Sequence, residues 1–239
     1  MNNENIEIIQ NNLNIEITKQ INEKFENFSQ LFKIYNSHTN LVSKNDEKNL
    51  FEKHIYDSLC FSLFLAQYPQ KETIKILDIG TGGGFPSIPL SLIYNNFEIY
   101  PLDSIAKKIG FIELIQKELR LENLKPTCKR VEDLPLNMKE SFDIVTSRAV
   151  APLNVLIEYA IPYIKTNGYF VAFKAKNSDE EIKNAQNALS TLHSKVETRI
   201  PYKLPLEEEH FRELIVIKKL AKSPNIYPRK SGLARKNPI

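Results

Sequence analysis

Ile74-Lys75-Ile76-Leu77-Asp78-Ile79-Gly80-Thr81-Gly82-Gly83-Gly84-Phe85-Pro86 is the stretch that decides the fold. Its first six residues are mostly apolar and rich in β-branched side chains, as a buried strand requires. Four of the seven glycines in the chain follow at once. Glycine permits a sharp turn and presents no Cβ to an approaching ligand, while Pro86 is preset to open a helix. A strand, a glycine turn and a helix start, in that order, form a βα unit built to hold a ligand in an open α/β sheet.

Working outward, short β-rich runs alternate with helical stretches. Phe97–Leu102, Phe142–Thr146 and Tyr169–Phe173 join Ile74–Ile79 as expected strands, and helices are expected at Pro86–Tyr94, Ser104–Arg120, Pro152–Ile164 and Ser178–His193. This alternation gives a mostly parallel sheet with helices on both faces. After His193 the rule changes: Val196–Lys203 and Phe211–Lys218 both read as strands, and the link Leu204–His210 is too short for a crossover helix. The two should therefore pair antiparallel. Before the sheet, Ile21, Phe25, Phe28, Leu31, Phe32 and Tyr35 recur at helical spacing behind the N-cap residue Thr18. A second helical region starts near Asn45-Asp46-Glu47 and runs through His54 and Asp57 towards Ala66. The expected organisation is an N-terminal helical cap (1–70), an α/β domain (71–220) and a basic tail (221–239).

The chain of 239 residues is 42% hydrophobic and 26% charged, which places it among ordinary globular proteins. Its apolar runs are too short to span a membrane. The two cysteines, Cys60 and Cys128, are isolated, so neither a disulfide framework nor a zinc site is expected, and a reducing cytoplasmic home is. A net charge of +3 conceals an asymmetry: seven basic residues and no acid follow from Lys218 onward, which leaves the rest of the chain at −4. Pro224, Pro228, Gly232 and Pro238 punctuate that tail, so it is expected to be extended and partly mobile until it meets a polyanion. Truncation at Ser223 would then weaken recognition of that polyanion and leave the affinity of the glycine turn for its ligand intact.

Glycine spacing narrows the ligand. A dinucleotide fingerprint begun at Gly80 or Gly82 requires glycine at position 85 or 87, where Phe85 and Ser87 stand. Asp78 through Gly84 instead looks like the D-x-G-x-G-x-G first motif of S-adenosylmethionine methyltransferases. An acid two residues before the first glycine suits a ligand carrying an ammonium and a sulfonium. Asp103 ends the second strand near the distance at which Rossmann-like sites place a ribose-binding acid, with capping of the helix from Ser104 as the alternative role. After the third strand, Arg130-Val131-Glu132-Asp133 falls where the adenine ring should lie.

Several segments together resemble the RsmG (GidB) family of small-subunit rRNA guanine-N7 methyltransferases: His54-Ile55-Tyr56-Asp57-Ser58, Asp78–Pro89, Leu102-Asp103-Ser104, Arg130-Val131-Glu132, Thr146–Ala151 and Tyr227-Pro228-Arg229-Lys230. Gly83 and Ser87 depart from the family's usual residues but remain small. The resemblance implies a class I methyltransferase fold, S-adenosyl-L-methionine as cofactor with contacts at Gly80, Phe85, Val131, Glu132 and Arg148, and methyl transfer to a guanosine N7 in 16S rRNA or the small ribosomal subunit. No metal, no membrane association and a monomeric state are expected. Guanine N7 offers an in-plane lone pair and has no proton to lose, so no catalytic dyad is required. The segment after the fourth strand, Thr146-Ser147-Arg148-Ala149, carries neither the Asn/Asp-Pro-Pro-aromatic motif of amino methylation nor a Pro-Cys nucleophile. From the residues alone Arg148 has three readings: a methionyl-carboxylate ligand, an RNA phosphate ligand, or half of a surface ion pair. His54 and Asp57, three apart on one helical face, can reach each other. A methyltransferase for a non-RNA substrate and a noncatalytic rRNA-binding assembly protein on the same fold remain open from sequence alone.

Overall fold

A computed structural model describes residues 1–69, 73–175, 178–206 and 210–239. In chain order the elements are α1 (Asn3–Leu13), α2 (Lys19–Thr39), α3 (Lys44–Lys48), a π-helical turn (Phe51–Tyr56), α4 (Asp57–Leu59), α5 (Phe61–Gln67), β1 (Ile74–Ile79), α6 (Ser87–Ile93), β2 (Phe97–Asp103), α7 (Ala106–Leu119), β3 (Thr127–Cys128), β4 (Phe142–Arg148), α8 (Leu153–Ala160), β5 (Ile164–Lys174), α9 (Ser178–Asn184), α10 (Gln186–Thr191), β6 (Ser194–Lys203), β7 (Phe211–Lys219) and α11 (Leu233–Lys236). The expected boundary at 70/71 lies outside the described residues, as does part of the link between β6 and β7.

The seven strands form one sheet in the order β3-β2-β1-β4-β5-β7-β6. Strands β1 to β5 run parallel, and β7 inserts antiparallel between β5 and β6. The strand order reverses between β1 and β4, which is where open α/β sheets bind ligands outside their carboxyl ends. Alternation along the central strands feeds two cores: Ile76 and Ile144 face one layer with the cap helices, α6 and α7, while Leu77 and Val145 face the other with α8 and α10.

The cap is continuous with the first of these layers. Thr18 caps α2 by accepting from the Ile21 amide, and the helix buries Phe25, Phe28 and Phe32 completely. Phe28 and Phe32 pack on Phe85 at ring-centroid distances of 5.7 and 5.4 Å, and on Phe111 of α7. The cap thus rests on the glycine loop itself.

Besides an earlier start to β5 and the division of the helix expected at Ser178–His193 into α9 and α10, three regions differ from expectation. Helix α1 forms behind the side-chain cap of Asn2 and buries Ile9 and Leu13, although its sequence is mostly polar. The region expected to be one helix from Asn45 to Ala66 is broken by the π turn, where the Lys53 carbonyl accepts from Arg148 Nη1 at 2.7 Å. Such turns interrupt α-helices at positions committed to other contacts. The basic tail is not extended: Ala234 is 1% exposed in the α8 layer, α11 forms, and Arg229 binds Glu158. The reason is electrostatic, since Glu158 is 1% exposed and a buried carboxylate requires a cation and hydrogen bonds. Among the described residues no helix is long and apolar enough to cross a membrane, and no group of three or more acids, histidines and cysteines is arranged to hold a metal.

If cap and sheet share one core, Phe32→Ala should destabilise the protein by about 3–5 kcal/mol through the cavity it leaves. Denaturant titration followed through both the cap and the sheet should show a single transition shifted to lower denaturant. Two separate transitions would show that the cap is an independent unit.

Candidate functional site

After β1 the chain is pinned to the end of β2. The amides of Gly80 and Thr81 both donate to the Leu102 carbonyl, at 2.8 and 3.0 Å, and the Gly82 amide donates to Asp103 Oδ2 at 3.1 Å. Gly82 has φ +59°, and a Cβ there would meet nothing nearer than the Gly80 carbonyl at 3.9 Å. That side of the loop is open for a ligand. Gly84 is glycine for a different reason: at φ +89° its Cβ would lie 2.3 Å from Ile88 Cδ1, inside the packing of α6.

Outside the carboxyl ends of β1, β2 and β4 lies a cavity of about 400 Å³. Gly80, Asp103, Val131 and Glu132 all line it, so four of the six expected cofactor residues converge on one space. Asp103 turns both carboxylate oxygens to neighbouring groups. Its Oδ1 accepts from the Ile105 amide at the entry to α7, while Oδ2 takes the Gly82 amide and Lys108 Nζ at 3.4 Å. The turn Val131–Asp133 is held from beneath by Tyr163, whose buried hydroxyl donates to the Val131 carbonyl. Glu132 Oε1 accepts from the amide of Gly232, and Gly232 and Arg235 complete the lining. Those two tail residues were missed in the sequence, as was Lys129 at the rim.

Asp78 is not in the cavity. It is fully buried; Oδ2 accepts from Ser87 Oγ at 2.7 Å, and Oδ1 has no hydrogen-bond partner, nor has the buried Thr81 Oγ1. Burial pushes the Asp78 carboxyl up from 3.8 to about 7. Its expected direct service to a cationic ligand is therefore replaced by support of the loop from below through Ser87.

Phe85 and Arg148 also stand outside that lining. Phe85 is 3% exposed, with its ring among Phe28, Phe32 and His54. Arg148, at the end of β4, reaches across to the cap: Nη1 donates to Asp57 Oδ2 and the Lys53 carbonyl, and Nη2 to His54 Nδ1, each at 2.7 Å. Its guanidinium carbon lies 5.4 Å from the centre of the Phe85 ring. His54 and Asp57 accordingly meet Arg148 and not each other. Because Nδ1 faces a donor, it is the acceptor and Nε2 carries the hydrogen. Burial, followed by the nearby Arg148 charge, pulls the His54 pKa down to about 3, so the ring is neutral. Asp57 Oδ1 is taken by the Tyr202 hydroxyl at 2.6 Å.

A second cavity, of about 420 Å³, opens on this junction. Lys53, His54, Arg148, Lys174 and Arg212 line it, and it shares Ala149 with the first. Ala149 sits at φ +57°, a conformation that costs a non-glycine residue stability and tends to occur at functional sites. Ser147 and Thr146 of the same segment are buried and tie β4 to its neighbours through the carbonyls of Ile79 and Val171.

The residues fit S-adenosylmethionine: an open glycine turn, a carboxylate at the end of β2 that can accept from hydroxyls, and polar and apolar groups of the Val131–Asp133 turn lining the same space. The fold agrees, since the M. jannaschii protein TYW2, solved in complex with AdoMet, superposes with a TM-score of 0.53 at 15% identity over 64% of this chain and 72% of that one. Sheet order and glycine site together define a class I S-adenosylmethionine-dependent methyltransferase. The profile of a family described as rRNA small subunit methyltransferase G matches residues 21–210. Proteins named ribosomal RNA small subunit methyltransferase G from Streptococcus pneumoniae and Streptococcus gordonii are 39% and 37% identical, covering 95% and 94% of this chain and 94% of each relative. The chain belongs to the rRNA small subunit methyltransferase G family.

Two outcomes test the loop. Gly82→Val should abolish S-adenosylmethionine binding in calorimetry, with a stability cost of about 1–2 kcal/mol from the left-handed backbone; unchanged affinity would reduce the loop to a turn. The second concerns pH. The folded chain keeps on Asp78 a proton that the unfolded chain releases near 3.8, so this group's contribution to stability is full below that pH and is lost as pH rises to about 7. Measured across that window, the stability of the wild type relative to Asp78→Asn should fall with rising pH, whereas a flat difference would mean that Asp78 is ionised in the fold throughout.

Proposed function

We propose that this chain transfers a methyl group from S-adenosyl-L-methionine to N7 of one guanosine in 16S rRNA, acting as a cytoplasmic monomer. The observation that carries the reading is the pair of adjoining cavities: one has a cofactor-type lining, the other is bordered by the cations Lys53, Arg148, Lys174 and Arg212 against the acids Asp46, Asp57 and Glu181, and both reach Ala149. The cofactor, when bound, supplies a methyl group made electrophilic by a sulfonium. The chain's own residues bind and orient.

Asp103 would accept from the ribose hydroxyls, and the Val131–Glu132 turn would border the adenine. Arg148, fixed by Asp57, His54 and the Lys53 carbonyl, holds the cap against β4 and so sets the width of the acceptor cavity. Lys129 and Arg130 are exposed at the cofactor-cavity rim, where phosphates can be neutralised. A strong base is not needed for N7, and the depressed basicity of His54 agrees with an acceptor that loses no proton. These features favour alignment as the main source of catalysis.

The test uses the purified chain, labelled S-adenosylmethionine and 16S rRNA, either free or in small subunits. One guanosine should acquire label, and strand scission at N7-methylguanine should map it. RNA made with 7-deazaguanosine should accept no label. Equal incorporation into the deaza RNA would move the acceptor to another atom, and no incorporation into any rRNA would overturn the substrate.

A further inference from the structure

A tail rich in arginine and lysine reads as an arm for RNA, yet its first arginine is spent inside the protein. Glu158, on the mostly apolar α8, receives the Arg229 amide and Nε at 2.9 Å on Oε1, and Nη2 at 2.6 Å on Oε2. Arg229 Nη2 also reaches the Asn237 carbonyl at 2.8 Å, closing the tail on itself, and Lys139 Nζ clasps the carbonyls of Asn225 and Tyr227 at 3.0 and 2.6 Å. Three residues beyond Arg229, the Gly232 amide meets Glu132. Three further on, Arg235 Nη2 reaches the Val150 carbonyl at 3.3 Å. Gly232 and Arg235 both line the 400 Å³ cavity, on the side of Val131, Glu132 and Tyr159.

We infer that the segment from Arg229 to Arg235 is a wall of the S-adenosylmethionine cavity, with Arg229 a positioning residue locked on Glu158 and Arg235 a contact to the adenosine half of the cofactor. The inference rests on the reading that this cavity takes S-adenosylmethionine. A planar guanidinium suits the face and edge of a purine in a way that a lysine does not. Arg235 is bonded to the residue after Ala149, so the same side chain spans from the tail to the segment that both cavities reach. Glu132 gains a different meaning: one of its oxygens mounts the tail. Truncation at Ser223 then removes one side of the cofactor cavity, contrary to what a free arm predicts.

The experiment compares Arg235→Ala, Arg235→Lys, Arg229→Ala and Arg229→Lys with the unsubstituted full chain. Affinity for S-adenosylhomocysteine is read by calorimetry, KM for cofactor and for rRNA by methyl transfer, and Tm without ligand by scanning. Arg235 is exposed, so Arg235→Ala should keep its Tm while S-adenosylhomocysteine affinity and cofactor KM worsen by about tenfold, with the rRNA KM unchanged. Arg235→Lys should recover little. Arg229→Ala should lower both Tm and affinity, and Arg229→Lys, which loses the paired contact, should fall between. Unchanged affinity in Arg235→Ala overturns the wall even if Arg229→Ala does not fold. A worsened rRNA KM with cofactor KM intact overturns it in favour of an RNA arm. Failure of the unsubstituted chain to bind S-adenosylhomocysteine overturns the cofactor reading and the wall together.

Discussion

The Leu102 carbonyl accepts the amides of Gly80 and Thr81 together, and the geometry of the site follows from that pair of hydrogen bonds. It fixes the turn after β1 to the end of β2 and places Gly82 within reach of Asp103. Main-chain groups that would otherwise lie unpaired at a strand terminus are satisfied there, so the shape of the loop is set by the protein's own backbone. With the sheet order reversing between β1 and β4, a cavity has to form above the turn.

The other half of the site depends on a longer reach. Arg148 crosses from β4 to the cap and meets three groups, two of them supplied by the π turn and one by the helix after it. An arginine stays charged at any relevant pH, and here one carboxylate, one carbonyl and one neutral imidazole share its donors. The imidazole is held neutral by burial and by that same charge. Pairing of this kind gives orientation more reliably than it gives stability. The cap is thereby located relative to Ala149, which both cavities reach.

Much of this was legible in the chain, for identifiable reasons. The parallel strands β1, β2 and β4 are short runs built on β-branched and aromatic residues, and the glycine cluster has no purpose in a strand-to-helix turn of ordinary width. The start of β5 was hidden because Lys165, Thr166 and Asn167 are polar and exposed. Helix α1 was hidden because only Ile9 and Leu13 are buried among asparagines and glutamates. The π turn could not be read locally, since its cause lies about 95 residues away. One signal was present and unused: Glu158 interrupts Val155-Leu156-Ile157 and Tyr159-Ala160, and a lone carboxylate in such a run needs a cation from elsewhere. Arg229 of the tail is that cation.

The position of Phe85 bears on how such a chain can change. Its backbone belongs to the glycine turn and its ring to the aromatic cluster of the cap, beside Phe28 and Phe32. A segment shared in this way cannot be exchanged as a module. Recombination that brought in a cap from a distant relative would replace the floor beneath the turn along with the helices, and only donors with matching aromatic volumes would keep the turn in place. The cap and the nucleotide-binding unit are therefore bound to a common mutational history, with each substitution in α2 constraining what residues 83 to 85 can become.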